Sequence, residues 1–174
     1  SNITTPEDLE TLMRKTFMES QTTVAAHKRE LVILKALMVR AYALELNDKF
    51  NMTFCKLLSK ILPLKRNIKP ADKVVKFVSS FFENINPLKI RDGEELQVPI
   101  PASAFEEVHA LFINKVVKYL MKGLDAKDTT VRYRSCQLLY HIIGNSGAMD
   151  EDLYESISDE LSTKVYDKDA AVRV

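Results

Sequence analysis

Residues 56–76, KLLSKILPLKRNIKPADKVVK, hold the side chains best able to bind a ligand. Seven cations (Lys56, Lys60, Lys65, Arg66, Lys69, Lys73 and Lys76) stand against one acid, Asp72, a local charge of +6 in a chain of net charge +1. The chemistry this permits is anion binding by ammonium and guanidinium groups. Lys56 and Lys60 are spaced i, i+4, and Lys73 and Lys76 are spaced i, i+3. Between them the Pro-flanked stretch PLKRNIKP presents Lys65, Arg66 and Lys69. An antiparallel helix pair would bring all of these to one end of a hairpin. A second group, Lys115, Lys118 and Lys122, repeats at i, i+3 and i+7 and so forms a stripe, with Arg132 and Arg134 following.

Any lysine run has a plain account as a solvated helix face. Here few acids interleave, so the charge is expected to stay unneutralised locally. Aromatics are not interleaved as they are in a base-stacking platform. If the ligand is nucleic acid, the expected mode is phosphate contact to a duplex without base readout. An acidic peptide bound by a helical-repeat adaptor would use the same lysines and is the alternative.

Nothing else reads as a reactive centre. His27, His109 and His141 are scattered, and none has a second His, Cys or carboxylate at metal spacing, so structural roles are expected. Cys55 lies in an apolar helical pattern with no Cys-His constellation. GNSG at 144–147 reads as a helix cap and turn rather than a phosphate loop. The acidic run 150–160, with six acids and no base, lacks the alternation and Gly of a calcium loop. No catalytic residue, metal site, cofactor or small-molecule substrate is expected. No stretch approaches 18 uncharged apolar residues, and the basic segments lack an aromatic anchor, so no membrane association is expected.

The elements that must position the lysines are helices. Four Gly and six Pro in 174 residues are few for a turn-rich β fold. Two cysteines 81 positions apart, each in an apolar helical pattern, fit a reducing compartment. Thr5 caps a first helix with Pro6 at its first position, and Leu9, Leu12, Met13 and Phe17 follow at helical spacing. Further helices are expected over about 24–44, 49–62, from Pro70, 104–123, 129–143, 150–165 and from 169 onward. Ser103 and Glu106 read as a capping box for the fifth. Residues 86–102, with three Pro and no helical period, read as a loop. The chain thus divides into helical hairpins over 1–85, a loop over 86–102, and repeats over 103–174.

The second half carries a repeat. GLDAKDTTVR (123–132) aligns with KVYDKDAAVR (164–173) at a shift of 41, so that Lys127/Lys168, Asp128/Asp169, Val131/Val172 and Arg132/Arg173 coincide. A period near 41 with two helices per unit is that of HEAT and armadillo repeats. The Asp can cap the following helix. The recurring Arg is expected to be structural, pairing with a capping Asp in the next repeat. The second copy stops inside its second helix, which would then have nothing to bury against, so the chain is expected to be the start of a longer α-solenoid.

HKRELVILKAL (27–37), FCKLLSKILPLKRN (54–67), DKVVKFVSSFF (72–82), VRYRSCQLLYHIIGN (131–145) and the ending VYDKDAAVRV resemble the N-terminal part of the condensin HEAT-repeat subunit of the CAP-G type, the fungal Ycg/Cnd class. KILPLKRN followed by DKVVKFV is the most specific block. The resemblance implies an all-α HEAT solenoid and a non-catalytic role in mitotic chromosome condensation. It implies a kleisin partner, SMC ATPase subunits reached through it, and double-stranded DNA held in a basic groove that the kleisin closes. It further implies the nucleus and chromosomes, and also the cytoplasm. The carry-over falls on Lys65 and Arg66. Assigning Lys69, Lys73, Lys76, Lys115, Lys118 and Lys122 to DNA follows from charge and spacing. Residues 86–102 have no counterpart in the resemblance.

Overall fold

The computed structural model describes residues 3–86, 100–145 and 149–173. Within them lie seven α-helices: α1 (Pro6–Glu19), α2 (Val24–Ala43), α3 (Asn47–Ile61), α4 (Lys69–Asn84), α5 (Ala102–Gly123), α6 (Thr129–Asn145) and α7 (Glu151–Thr163). A 3-10 turn, Lys164–Tyr166, follows α7. The expected loop lies mostly in 87–99, outside the described residues.

Local chemistry fixes most helix starts. The Thr5 hydroxyl accepts from the Asp8 amide at 3.2 Å, and the Asp8 carboxylate accepts from the Thr5 amide at 3.1 Å. Thr23 caps α2 by accepting from Ala26 N–H at 3.0 Å. Asp128 accepts from the amides of Thr130 and Val131 at the start of α6. Each bond satisfies an amide that the first helical turn leaves without a partner.

Two expected ends differ. Helix α5 begins at Ala102 with Pro101 before it and no side-chain cap, so Ser103 is already inside the first turn and forms no capping box. Pro101, at φ −59° and ψ 151°, sets the entry angle by its ring instead. Beyond residue 169 a single turn forms rather than a helix. Asp169 accepts from Ala171 N–H at 2.8 Å, as its repeat mate Asp128 does, and Val172 and Arg173 bond back to the Asp169 carbonyl.

The helices stack as antiparallel hairpins in two layers. Helix α1 packs on α2, α3 lies beside α1 and α5, α4 lies between α2 and α6, and α7 packs on α5 and α6. This is an α-solenoid. One continuous core runs from Ile3 to Val172, so the hairpins on either side of residues 87–99 share it. Its centre is aromatic. Phe54 of α3 meets Phe112 of α5 edge-on at 4.8 Å, with Phe17, Phe81 and Phe82 around them. Such pairs add about 0.5–1.5 kcal/mol each beyond area burial. Cys55 and Cys136 are buried free thiols, and burial pushes Cys55 up to about 11. Among the described residues no helix is long and apolar enough to cross a membrane.

Candidate nucleic-acid interface

The turn between α3 and α4 carries Lys65 and Arg66, and α6 builds it from below. Arg134 of α6 is buried, 2% exposed, yet its guanidinium donates to the Leu64 carbonyl through Nε at 3.0 Å and Nη2 at 2.8 Å. Nη2 also donates to the Lys65 carbonyl at 3.0 Å. Burial lowers the pKa of Arg134, and the charge of nearby Asp72 works against that shift. The next side chain along α6, Tyr133, lies under Arg66, whose Cζ stands 4.6 Å from the ring centroid. Asn67 then takes a left-handed φ of 62°, which Asn tolerates better than most residues.

Arg66 and Lys76 line a groove of about 490 Å³ between α4 and α6, together with Asp72, Tyr133 and Arg134. Lys73 and Lys76 line a larger one of about 880 Å³ between α2 and α4. That groove adds two lysines that sequence spacing had not grouped with them, Lys28 and Lys35. Lys35 also sits 5.5 Å from the Phe105 ring centroid, and the Lys73 ammonium reaches the Gln21 carbonyl at 3.4 Å. His27 stands edge-on to Phe77 in the same wall, and burial, then Lys76, lowers its pKa.

Lys65 projects on another side of the turn, into a groove of about 530 Å³ with Arg14, Lys60, Met18 and Ile68. Lys69 is exposed in the first turn of α4. Lys115, Lys118 and Lys122 are exposed on α5, which packs beside α3, and Lys115 lies close enough to Cys55 of α3 to influence its thiol. The structure therefore gathers Arg66, Lys73 and Lys76 around α4, and the 115–122 stripe lies apart from them on α5.

One expectation is corrected. The basic stretch is partly neutralised, by an acid far away in sequence. Glu10 of α1 accepts from Lys56 at 3.0 Å, Lys49 at 3.1 Å and Arg14 at 2.5 Å. Bonds from Lys56, then Lys49 and Arg14, hold the Glu10 carboxyl down at about 2. Lys56 is thus a packing contact between α1 and α3. The repeat arginine Arg132 is structural, as expected, but with a different acid. It is buried and pairs with Asp167, two residues before the capping Asp169. Among the described residues no group of three or more His, Cys, Asp or Glu could hold a metal ion.

Known proteins match along nearly the whole chain. Condensin complex subunit 3 of Saccharomyces cerevisiae is 30% identical over 159 residues, 91% of this chain and 15% of the yeast protein. That of Schizosaccharomyces pombe is 29% identical over 155 residues, 89% of this chain and 15% of its own. The crystal structure of the S. pombe condensin Cnd3-Cnd2 subcomplex superposes with a TM-score of 0.63 at 28% identity, over 92% of this chain and 18% of that one. The chain is similar to condensin subunit 3. It spans about 15% of the length of these relatives. A family model described as the vacuolar 14 Fab1-binding region also matches residues 91–174, a little under half of the chain. The condensin likeness covers both layers of hairpins, and the fold is a HEAT-repeat α-solenoid.

Proposed function

We propose that this chain is a DNA-contacting segment of a non-catalytic condensin subunit of the subunit 3 kind. It binds duplex DNA without regard to sequence, beside a kleisin partner such as Cnd2, and works in chromosome condensation in the nucleus. The SMC ATPase subunits are reached through the kleisin, and a cytoplasmic pool accompanies the nuclear one. The observation that carries the reading is the Lys65–Arg66 turn. Its two cations are in no ion pair among the described residues, and the Arg66 guanidinium stands over the Tyr133 ring with Cζ 4.6 Å from the centroid. Lys69, Lys73 and Lys76 continue the positive surface along α4. Basic side chains on phosphates release counterions, so affinity falls with salt and ignores base identity.

The test is binding of a fluorescent random-sequence duplex across a salt series. Contact with about three phosphates gives a log–log slope near −3. A Lys65→Glu/Arg66→Glu variant, with folding checked by circular dichroism, should lose both affinity and slope. Equal behaviour of the two proteins overturns the reading.

A second reading, an adaptor for an acidic protein segment, rests on a groove in residues 14–74, outside the region of the Fab1-binding-region likeness. The groove of Met18, Leu64 and Ile68 rimmed by Arg14, Lys60 and Lys65 suits such a segment. An acidic peptide that binds while duplex DNA does not would select it.

A further inference from the structure

We infer that Tyr133 and Arg134 are positioning residues of the DNA contact, which is thereby built across two successive hairpins; this rests on the DNA reading above. The Leu64 and Lys65 carbonyls lie beyond the end of α3, where no helical amide answers them. The Arg134 guanidinium satisfies both and so fixes the backbone on which the Lys65 and Arg66 side chains are mounted. Tyr133 then fixes the Arg66 side chain itself. The cation–π contact, with Cζ 4.6 Å from the ring centroid, narrows the rotamers of Arg66 while leaving it a cation that a phosphate can pair with. The ordering of a long, rotamer-rich side chain is therefore completed on folding and not charged to binding. The segment that touches DNA belongs to the α3–α4 hairpin, whereas the groups that aim it belong to α6.

This separates two effects that a salt series can resolve. Removing a charge reduces the number of phosphates neutralised and makes the slope shallower by about 0.9. Removing a support leaves the contact in the complex and costs only the ordering, so affinity falls while the slope stays. Tyr133→Leu should weaken duplex binding about fivefold with unchanged slope. Tyr133→Phe keeps the ring and should bind like wild type. In an Arg66→Gln background Tyr133→Leu should have no further effect, because the ring then has no cation to hold. Arg134→Lys, which cannot bridge both carbonyls in the same fork, should speed amide exchange in residues 64–67 and weaken binding in parallel. All are measured well below each variant's melting temperature.

Tyr133→Leu binding as tightly as wild type, or adding its full effect to Arg66→Gln, overturns the inference. A wild-type protein that fails to bind, or a Lys65→Glu/Arg66→Glu variant that binds normally, overturns the DNA reading itself. If that charge-reversal variant loses binding and Tyr133→Leu does not, the positioning role alone is lost.

Discussion

The Arg132 guanidinium grips both carboxylate oxygens of Asp167, Nε at 2.9 Å from Oδ2 and Nη2 at 3.2 Å from Oδ1. The same carboxylate accepts from the Asp169 amide at 2.8 Å, and Arg132 also donates to the Ala126 and Lys127 carbonyls. The first turn of α6 is thereby tied to the connector that opens the next repeat. Lys164 adds a parallel tie to Asp125 at 3.0 Å.

Asp167 should shape the acid limb of stability. Its pKa is lowered, first by the Arg132 bond and then by the Asp169 amide. A depressed carboxyl contributes stability that is present above its ordinary pKa of about 3.9 and lost as pH falls through the depressed value. Urea unfolding of Asp167→Asn should show a lower midpoint at neutral pH and a flatter fall below pH ~4 than wild type. Parallel curves for the two proteins would mean that the pair contributes nothing.

His109 sets a second, higher window. Burial against the core lowers its pKa to about 4, so the imidazole is neutral in the folded chain. Between about pH 6.5 and 4 the unfolded state binds the extra proton, and stability falls as pH falls across that range. The loss should approach about 3 kcal/mol once pH is below 4. His109→Leu should remove this slope while leaving that of Asp167. A pH-stability profile of the variant identical to wild type above pH 4 would assign the loss elsewhere.

Gly123 of α5 packs tightly against Ser135 of α6. A Cβ at Gly123 would overlap the Ser135 hydroxyl and come within 3.2 Å of Ser135 Cβ. Gly123→Ala should cost about 1–3 kcal/mol through overpacking. Ser135 is fully buried, and its hydroxyl has no partner among the described residues. Ser135→Ala should therefore be neutral or slightly stabilising. The Gly123→Ala penalty should be smaller in that background by more than about 0.5 kcal/mol, the signature of touching sites. Additive melting shifts would contradict this packing.

The two lysine groups lie apart, so DNA should distinguish them. Lys73→Gln/Lys76→Gln should make the salt slope shallower by roughly 0.9 for each lysine that meets a phosphate. Lys115→Gln/Lys118→Gln/Lys122→Gln should leave it unchanged, because that stripe stands on α5 beside α3 and away from the grooves of α4. The reverse result would put the duplex across the α3 and α5 layer.

Much of this arrangement could be read along the chain. Helix-start chemistry at Thr5 and Asp128 is local, and so is the periodicity that buries Leu9, Met13 and Phe17. The repeat of Asp128 at Asp169 reappears as the same side-chain cap. What was hidden depends on neighbours distant in sequence. Glu10 meets Lys56 across 46 positions, and no spacing rule couples them. Arg134 meets backbone carbonyls 70 positions earlier, and carbonyls have no sequence identity. A signal did exist: Arg134 lies i, i+4, i+8 with the buried Leu138 and Ile142, which is an unusual place for a cation unless something answers it. Counting Arg134 with the exposed lysines missed that pattern.

The buried thiols have a practical chemical consequence. With Cys55 held near 11 and Cys136 also raised by burial, thiolate is scarce at neutral pH. Alkylating reagents and maleimide dyes should pass both by while the fold is intact. A single cysteine introduced on an exposed face, such as Lys73→Cys, would then label alone in the native sequence, and brisk labelling of Cys55 would itself report that the aromatic centre around Phe54 had opened.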